Sequence, residues 1–319
     1  MIIRKIAMFA VMLCVLSLEL ASSANSIPQS VPPRAEDQIS LAVSVTNKND
    51  EPIRDLPKSA FQVLDAGQVQ PITGFEDQDG SASVALVLDP STIDATEYRD
   101  PKRIPRLIDA VANFVASSND RNQYFLVRAK EAGSDSADYY SAAEALAVLK
   151  KSDATSFQGN SSIYFAYSLA ASKVSKGPFA KRAVVLITDG LDFSARKLEV
   201  DVETLISEKS ILVYVIFMTP EGSPDQYSGT TADIASWFQN LAESTGGTFF
   251  HVSSAKNVNT FLQRVAADLR SRYTITFRPT KPLVQGKCFP FRVNVTSADT
   301  AVTKSLKVRT RRNTCAIAD

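Results

Sequence analysis

Residues 83–89 have the sequence SVALVLD, an uninterrupted apolar run that ends at an aspartate. A strand that is apolar at every position is typical of a parallel sheet covered on both faces. The pattern returns at 182–189, RAVVLITD, and at 211–218, ILVYVIFM. Segments with apolar residues at helical spacing lie between these runs, such as PKRIPRLIDAVANFVASS at 101–118. This alternation predicts an α/β fold with a doubly wound, mostly parallel sheet.

The two ends of the chain follow a different pattern, in which apolar and polar residues alternate. Examples are ISLAVSVT at 39–46 and YTITFRPT at 273–280. Such alternation is typical of half-buried strands and predicts a small β-rich platform formed by the N- and C-terminal segments. The platform is either one β domain that carries the α/β centre as an insertion, or two β pieces packed separately on it. The predicted segments are 38–80 (β), 81–272 (α/β) and 273–319 (β).

Near the C-terminus, residues 308–313 (VRTRRN) have the pattern of a short basic edge strand. Charges on edge strands commonly prevent edge-to-edge aggregation. The expectation is therefore that these arginines face solvent.

The N-terminus has the features of an export signal. Arg4 and Lys5 precede an apolar run at 6–18, and small residues follow at 22–24. We predict a signal peptide at 1–24 and a Pro- and Ser-rich flexible linker at 25–37. The apolar run is shorter than the roughly 20 residues of a membrane span, so no span is expected after cleavage. The predicted location is secreted, periplasmic or otherwise in the cell envelope.

Two cysteines, Cys288 and Cys315, remain after removal of the signal. An oxidising compartment favours a disulfide between them, and two free thiols are the alternative.

The composition excludes some classes of function. The 319 residues include 35 Lys and Arg against 34 Asp and Glu, and no basic excess points to a nucleic-acid partner. One histidine in the chain gives almost no material for a His-based triad or a multi-His metal site.

Two of the buried strands end in aspartate, at Asp89 and Asp189. Ligands of doubly wound sheets bind beyond the carboxyl ends of the strands, at the switch in strand order. Ser91 and Thr92 follow the first aspartate, and the segment at 159–166, GNSSIYFA, adds further hydroxyls. Carboxylate and hydroxyl oxygens suit a hard cation such as Mg²⁺.

These residues resemble the von Willebrand factor type A (VWA) domain, which combines a D-x-S-x-S loop, a Thr-bearing loop and a TDG strand end. The flanking segments 41–76 and 273–313 are similar to those of the bacterial, acidobacterial-type VWFA-related proteins, so the resemblance spans roughly residues 38–313. It implies a metal-ion-dependent adhesion site (MIDAS), in which a partner's Asp or Glu completes the coordination of a divalent cation. The implied ligands of Mg²⁺ or another divalent ion are Asp89, Ser91, Ser161 and Asp189.

The sequence departs from the pattern of that site at two positions. Ile93 occupies the second serine position and cannot ligate a metal, and Phe165 stands where the family often has Asp. Mg²⁺ accepts water in place of a protein ligand, but a branched apolar side chain can also exclude that water. The sequence leaves open a working cation site and a decayed one.

The resulting functional prediction is an exported binding or adhesion module with a protein partner, without catalytic activity. One alternative is a metal-assisted hydrolase in the same crevice, although His251 is poorly placed for a general base and no G-x-S-x-G motif is present. The other alternative is a structural envelope protein with a decayed metal site.

Overall fold

The structure is a computed structural model and describes the residues in the ranges 38–77, 79–89, 102–128, 139–152, 163–190, 199–219, 228–280, 288–296 and 305–315. The predicted signal peptide at 1–24 and linker at 25–37 lie outside the described residues. All described residues fall in one compact unit, Glu36–Asp319. Within these ranges, no helix has the length and apolar character needed to cross a membrane.

The order of the elements follows the change in sequence pattern along the chain. The first segment forms four strands, β1 (Ile39–Thr46), β2 (Phe61–Asp65), β3 (Gln68–Gln70) and β4 (Ile72–Glu76), with a short 3-10 helix at Lys58–Ala60 before β2. The middle segment alternates in the order β5 (Ala82–Leu88), α1 (Arg103–Ser117), β6 (Gln123–Arg128), β7 (Tyr140–Ser141), α2 (Ala142–Lys151), α3 (Ile163–Ser175), β8 (Lys181–Thr188), α4 (Glu199–Glu208), β9 (Ile211–Met218), α5 (Ser228–Thr245), β10 (Thr248–Val252) and α6 (Ala255–Arg270). The last segment returns to strands: β11 (Tyr273–Phe277), β12 (Cys288–Val295), β13 (Lys307–Arg309) and β14 (Asn313–Cys315).

The middle segment forms a six-stranded sheet in the order β10-β9-β8-β5-β6-β7. All neighbours are parallel except β7, which pairs antiparallel with β6 at one edge. The chain proceeds outward from β5 through β6 to β7, and then from β8 through β9 to β10 on the other side. This is the doubly wound order with its switch point between β5 and β8, and it confirms the predicted α/β fold.

Both faces of the central sheet are buried, which explains why β5 is apolar at every position except the buried Ser83. Leu86 and Leu88 belong to a core cluster shared with α1, α2 and α6. Ala85 and Val87 belong to the cluster on the opposite face, shared with α3, α4 and α5. Successive side chains of a strand point to opposite faces, so no position of β5 is left for a polar residue facing water.

Strands from the two ends of the chain pair with each other in two small antiparallel sheets. Their orders are β13-β1-β11-β4 and β14-β12-β2-β3, and the two sheets share one apolar core. The predicted turn after Asp65 joins β2 to β3, with Ala66 and Gly67 at φ 49° and 81°. A two-residue hairpin turn of this kind requires positive φ at both central residues. The β-rich platform is thus confirmed, whereas the predicted domain boundaries stay a prediction.

The last stretch of chain, residues 307–315, joins these two sheets, and we call it the C-terminal strap. Its first part, β13, pairs with β1, and its last part, β14, pairs with β12. β13 and β14 are the outer strands of their sheets, which confirms the predicted edge position, but of the three arginines only Arg312 is exposed. Arg309 Nη2 donates to Asp268 Oδ1 at 2.9 Å, and Arg311 Nη1 donates to the carbonyl of Ser207 at 2.8 Å. The strap therefore holds α6 and α4 through hydrogen bonds that the strand pattern did not reveal.

Asp268 is the centre of a buried polar network that links α6 to the sheets around it. Tyr214 of β9 and Arg272 donate to Oδ2 at 2.5 Å each, and Ser44 of β1 donates to Oδ1 at 2.6 Å. Burial alone raises the pKa of Asp268, but the neighbouring Arg272 and Arg309 and the two hydroxyl donors outweigh it and hold the pKa at about 2. The carboxylate is therefore ionised and bonded to residues from distant parts of the chain.

The two cysteines of the mature chain lie in neighbouring strands of one small sheet. Cys288 and Cys315 are directly opposite each other in the antiparallel register of β12 and β14. Directly opposed residues of antiparallel strands have Cα atoms about 4.5–5.5 Å apart, which is within the range of a disulfide. The backbone register is compatible with the predicted bridge, which stays a prediction.

Candidate functional site

The candidate site lies where β5 and β8 end, at the switch point of the central sheet. Asp89 follows the last residue of β5, and Asp189 follows the last residue of β8. The two strands are parallel neighbours in which Leu88 pairs with Ile187, and the amide of Asp89 donates to the carbonyl of Ile187 at 3.0 Å. The structure therefore places both aspartates at the carboxyl edge of the sheet, on adjacent strands.

Thr188 connects the two strand ends. Its hydroxyl donates to Asp89 Oδ2 at 2.5 Å and accepts the backbone N–H of Gly190 at 2.8 Å. Both Asp89 and Thr188 are fully buried, whereas Asp189 is half-buried. The hydroxyl thus orients one carboxylate while it holds the turn that carries the other. The sequence prediction missed this role of Thr188, although the threonine of the TDG strand end was visible.

Gly190 is required by the shape of the turn after Asp189. Its φ is 78°, a backbone conformation that side chains with a Cβ rarely adopt. A Cβ there would also lie 2.5 Å from Ile234 Cγ2 and 2.8 Å from Phe217 Cε2. The glycine lets the turn pack directly against β9 and α5, and so sets where the chain leaves β8.

Other members of the predicted ligand set fall outside the residues that the structure describes. Ser91 and Ser161 are among them, and so is Ile93, which replaces an expected serine. Phe165, where the family often has Asp, lies on α3 with 39% of its surface exposed. The structure thus places two of the four predicted ligands, and metal ligation by the set stays a prediction.

The donor types at this edge fit a hard divalent cation. Two carboxylates stand on neighbouring strand ends, and oxygen ligands are what Mg²⁺ prefers. Across the described ranges, however, no group of three or more His, Cys, Asp and Glu side chains is arranged to hold a metal ion. A cation at Asp89 and Asp189 would therefore also need hydroxyl ligands, for which Ser91 and Ser161 are the predicted sources.

The single histidine lies near the same edge, on the outermost parallel strand. His251 of β10 is exposed, and its Nε2 is hydrogen-bonded to the hydroxyl of Thr219, which follows β9. Two strands, β9 and β8, separate β10 from β5. This position gives no described carboxylate partner to form an acid–base pair with the imidazole.

Comparison with known proteins gives structural likeness without close sequence relatives. No protein-family model matches the chain, and no curated protein matches it. Among solved structures, proximal thread matrix protein 1 (PTMP1) of the mussel byssus has 18% identity and a TM-score of 0.49, covering 70% of this chain and 51% of its own. A von Willebrand factor type A protein from Catenulispora acidiphila has 10% identity and a TM-score of 0.46, and the match covers 90% of this chain and 76% of that protein. The pilus adhesin SpaC of Lactobacillus rhamnosus GG has 10% identity and a TM-score of 0.49, and the match covers 84% of this chain and 49% of the adhesin.

The chain spans about half the length of the mussel protein and of the pilus adhesin. A further structure of the mussel protein has a zinc-occupied MIDAS motif, which is a property of that protein. For the present chain, the fold follows from its own sheet order, its antiparallel edge strand β7 and its helices on both faces. In fold the chain is similar to von Willebrand factor type A proteins, while its finer resemblance to the bacterial VWFA-related group stays a prediction.

Proposed function

We propose that this chain is an exported protein-binding module. The loops at the carboxyl edge of its central sheet contact the partner, and a divalent cation is held there by Asp89, Ser91, Ser161 and Asp189. The observation that carries the proposal is the pair of aspartates on adjacent parallel strand ends, where the hydroxyl of Thr188 bonds the carboxylate of Asp89 and the backbone N–H of Gly190 after Asp189. The hydrolase alternative gains no support from the described residues at this edge.

The arrangement favours binding because the edge is rigid below the loops. The backbone of Asp89 is bonded to β8, its carboxylate is bonded to Thr188, and the turn after Asp189 is fixed by Gly190. A site that is held in place before binding loses little conformational entropy when a ligand arrives. The loops after Asp89 and Asp189 would then supply the contacts to the partner, while the strands hold these loops in place. Binding residues commonly lie on loops that a rigid scaffold positions in this way.

A bound divalent cation supplies a hard positive charge that a carboxylate of the partner can approach. The chain's own residues have two tasks around it. Asp89 is oriented by Thr188, and Asp189 is presented by a turn that only glycine permits.

The test is a titration of the purified protein with Mg²⁺ and Mn²⁺, followed by calorimetry and by thermal unfolding. A ligand present at 100 times its Kd stabilises the folded state by about 2.7 kcal/mol, so binding must raise the unfolding temperature. We expect Asp189→Asn to weaken cation binding at least about tenfold, because one carboxylate ligand loses its charge. Asp109→Asn is the matched control, since Asp109 is exposed on α1.

The outcomes separate a cation-dependent binding module from a scaffold with a decayed metal site. Cation binding that Asp189→Asn weakens and Asp109→Asn does not supports the proposal, and partner capture should then be lost in EDTA. The absence of any thermal or calorimetric response to both ions would reject the cation-dependent form. A partner that binds equally in Mg²⁺ and in EDTA would indicate a scaffold with a decayed site.

A further inference from the structure

A second candidate binding site lies at the opposite edge of the central sheet. A cavity of about 550 Å³ is enclosed by α4, α5 and the C-terminal strap. Small-molecule sites commonly have volumes of about 300–1,000 Å³. Ile211, the first residue of β9, lines the cavity, which places it at the amino edge of the sheet. Polar and aromatic lining residues include Glu203, Trp237, Asn240, Arg311, Arg312 and Asn313.

The most unusual group in this cavity is the guanidinium of Arg311. Arg311 is only 7% exposed, and it is held by two backbone carbonyls. Its Nη1 donates to Ser207 at 2.8 Å, and its Nη2 donates to Ser40 at 3.2 Å. Its Nε is buried and has no hydrogen-bond partner among the described residues.

No carboxylate in the described part of the chain forms an ion pair with Arg311. The neighbouring Arg312 is paired with Glu243 at 2.9 Å, and Arg309 is paired with Asp268 at 2.9 Å. Burial lowers the pKa of Arg311 to about 10, with no opposing acidic group to raise it. Phe291 adds a cation–π contact, with its ring centre 5.8 Å from the guanidinium carbon.

A buried cation without a counter-ion carries a large desolvation cost, and proteins normally pair such a charge. The other two arginines of the strap follow that rule, so Arg311 is the exception among them. An anion in the adjoining cavity would supply the missing partner. The guanidinium without a counter-ion and the cavity that Arg311 lines together indicate a ligand, because either feature alone has a simpler structural explanation.

The rest of the lining indicates what kind of anion fits. Arg312 is already paired with Glu243, so Arg311 is the guanidinium of the lining that lacks a carboxylate partner among the described residues, and its single charge matches a singly charged anion better than a doubly charged phosphate. Trp237 is half-buried, packed against Tyr164 with ring centres 5.4 Å apart, and it offers an aromatic surface to the cavity. The side-chain amides of Asn240 and Asn313, both exposed, are hydrogen-bonding groups suited to a hydroxylated ligand.

We propose that this cavity binds the carboxylate of a hydroxylated organic acid, such as a sugar acid, through the guanidinium of Arg311. The planar, multi-donor guanidinium matches a carboxylate, and the aromatic ring of Trp237 covers the apolar face of the ligand. The site is separate from the carboxyl edge at Asp89 and does not depend on a metal ion.

Arg311 also has a structural role, because Ser207 lies in the last turn of α4 and cations stabilise that end of a helix. The main test should therefore leave Arg311 in place, and a variant of Arg311 itself is used only after its folding has been checked. Asn240→Asp adds a carboxylate to the cavity from an exposed helix position, where it competes with the ligand for the guanidinium. Asn257→Asp is the matched control, since Asn257 is an exposed asparagine on α6 outside the cavity lining.

The experiment is a calorimetric titration of the full-length protein with glucuronate, glucose, inorganic phosphate and an acidic peptide. We expect glucuronate to bind and glucose not to bind, since only the acid carries the charge. Asn240→Asp should weaken glucuronate binding at least about tenfold with no loss of thermal stability, and Asn257→Asp should bind as the parent does. Arg311→Lys, checked for folding, should also lower affinity, because lysine lacks the planar fork.

Several results would overturn the proposal. These are no glucuronate binding to the parent protein, equal binding of glucuronate and glucose, or binding that Asn240→Asp leaves unchanged. Tighter binding of phosphate would refute the assignment of a singly charged carboxylate. Tighter binding of the acidic peptide would show that the cavity accepts a protein side chain instead.

Discussion

Replacing Asp268 with asparagine tests whether the buried polar network joins α6 and the strap to the sheets. The variant keeps the size of the side chain and removes its charge. Arg272, whose side chain is completely buried and donates to Oδ2, would lose its ionic partner, and so would Arg309, which donates to Oδ1. Breaking a buried ion pair from one side costs about 3–5 kcal/mol, because the remaining charge stays in a dry environment. We therefore expect Asp268→Asn to lower the free energy of unfolding at pH 7 by that amount.

The lowered pKa of Asp268 also predicts how the stability of the parent protein changes in acid. Its pKa in the folded protein is about 2, below its ordinary value of 3.8. A carboxyl group with a lowered folded pKa stabilises the protein above the unfolded pKa, and this contribution disappears as the pH falls through the folded pKa. A difference of this size corresponds to about 2 kcal/mol, which the parent protein should lose between about pH 4 and pH 2.

Urea unfolding, followed by circular dichroism at pH 7 and at steps down to pH 2, measures both effects. Asp109→Asn, on the exposed surface of α1, should change stability by less than about 0.5 kcal/mol at pH 7. Between about pH 4 and pH 2, the free energy of unfolding of Asp268→Asn should fall less steeply with pH than that of the parent, because the carboxyl group that titrates there has been removed. The assignment of a buried ionic network would be refuted if Asp268→Asn lowers the free energy of unfolding at pH 7 by less than about 1 kcal/mol. It would also be refuted if the variant and the parent lose stability equally as the pH falls to 2.

Three further predictions concern other contacts. Thr188→Val should destabilise the protein by about 1–3 kcal/mol and weaken any cation binding, because it removes the hydroxyl that orients the carboxylate at the end of β5; calorimetry with Mn²⁺ and urea unfolding measure both. Gly246→Ala should lower the free energy of unfolding more than Gly67→Ala does, although both glycines have a φ of 81°. A Cβ at Gly246 would lie 2.5 Å from the carbonyl carbon of Thr310 in the strap, whereas a Cβ at Gly67 would have no atom within 4 Å. If Cys288 and Cys315 are bridged, reduction should lower stability by about 3 kcal/mol, since the closed loop has about 28 residues, and non-reducing peptide mapping should show the linked pair.

The sequence pattern was sufficient for the central sheet because its signals are local. The mostly apolar runs of β5, β8 and β9 reflect burial on both faces of the sheet. The helices between these strands make crossover connections, which are right-handed in nearly all parallel sheets. The position of the strand-end aspartates follows from the same logic, since carboxyl ends of parallel strands share an edge. Loop conformation does not follow from it, because small polar residues after a strand are compatible with many turns.

The edge position of the strap could be predicted, but the contacts of its arginines could not, because their partners are distant in sequence. The pattern VRTRRN is compatible with an exposed basic strand, and nothing within the pattern shows that Asp268 and the carbonyl of Ser207 accept from it. One signal was available: Tyr214 interrupts the otherwise apolar strand β9, and a buried hydroxyl needs a partner. That hydroxyl donates to Asp268, so the tyrosine indicated the polar network from the sequence side.

The two ends of the central sheet differ in how they are held, and this difference bears on where binding can vary. At the amino edge, the strap fixes α4, α5 and α6 through arginines, and Gly246 permits its backbone to approach within a distance that any Cβ would block. At the carboxyl edge, the fixed part ends at Asp89 and at the turn through Gly190. Substitutions in the loops beyond that point change contacts with a partner without touching the network that joins the β sheets to the α/β centre. Substitutions in the strap should instead change both the stability of the protein and ligand binding in the Arg311 cavity. A strap variant that leaves stability and cavity binding intact but alters partner binding at the carboxyl edge would show that the two edges are not independent.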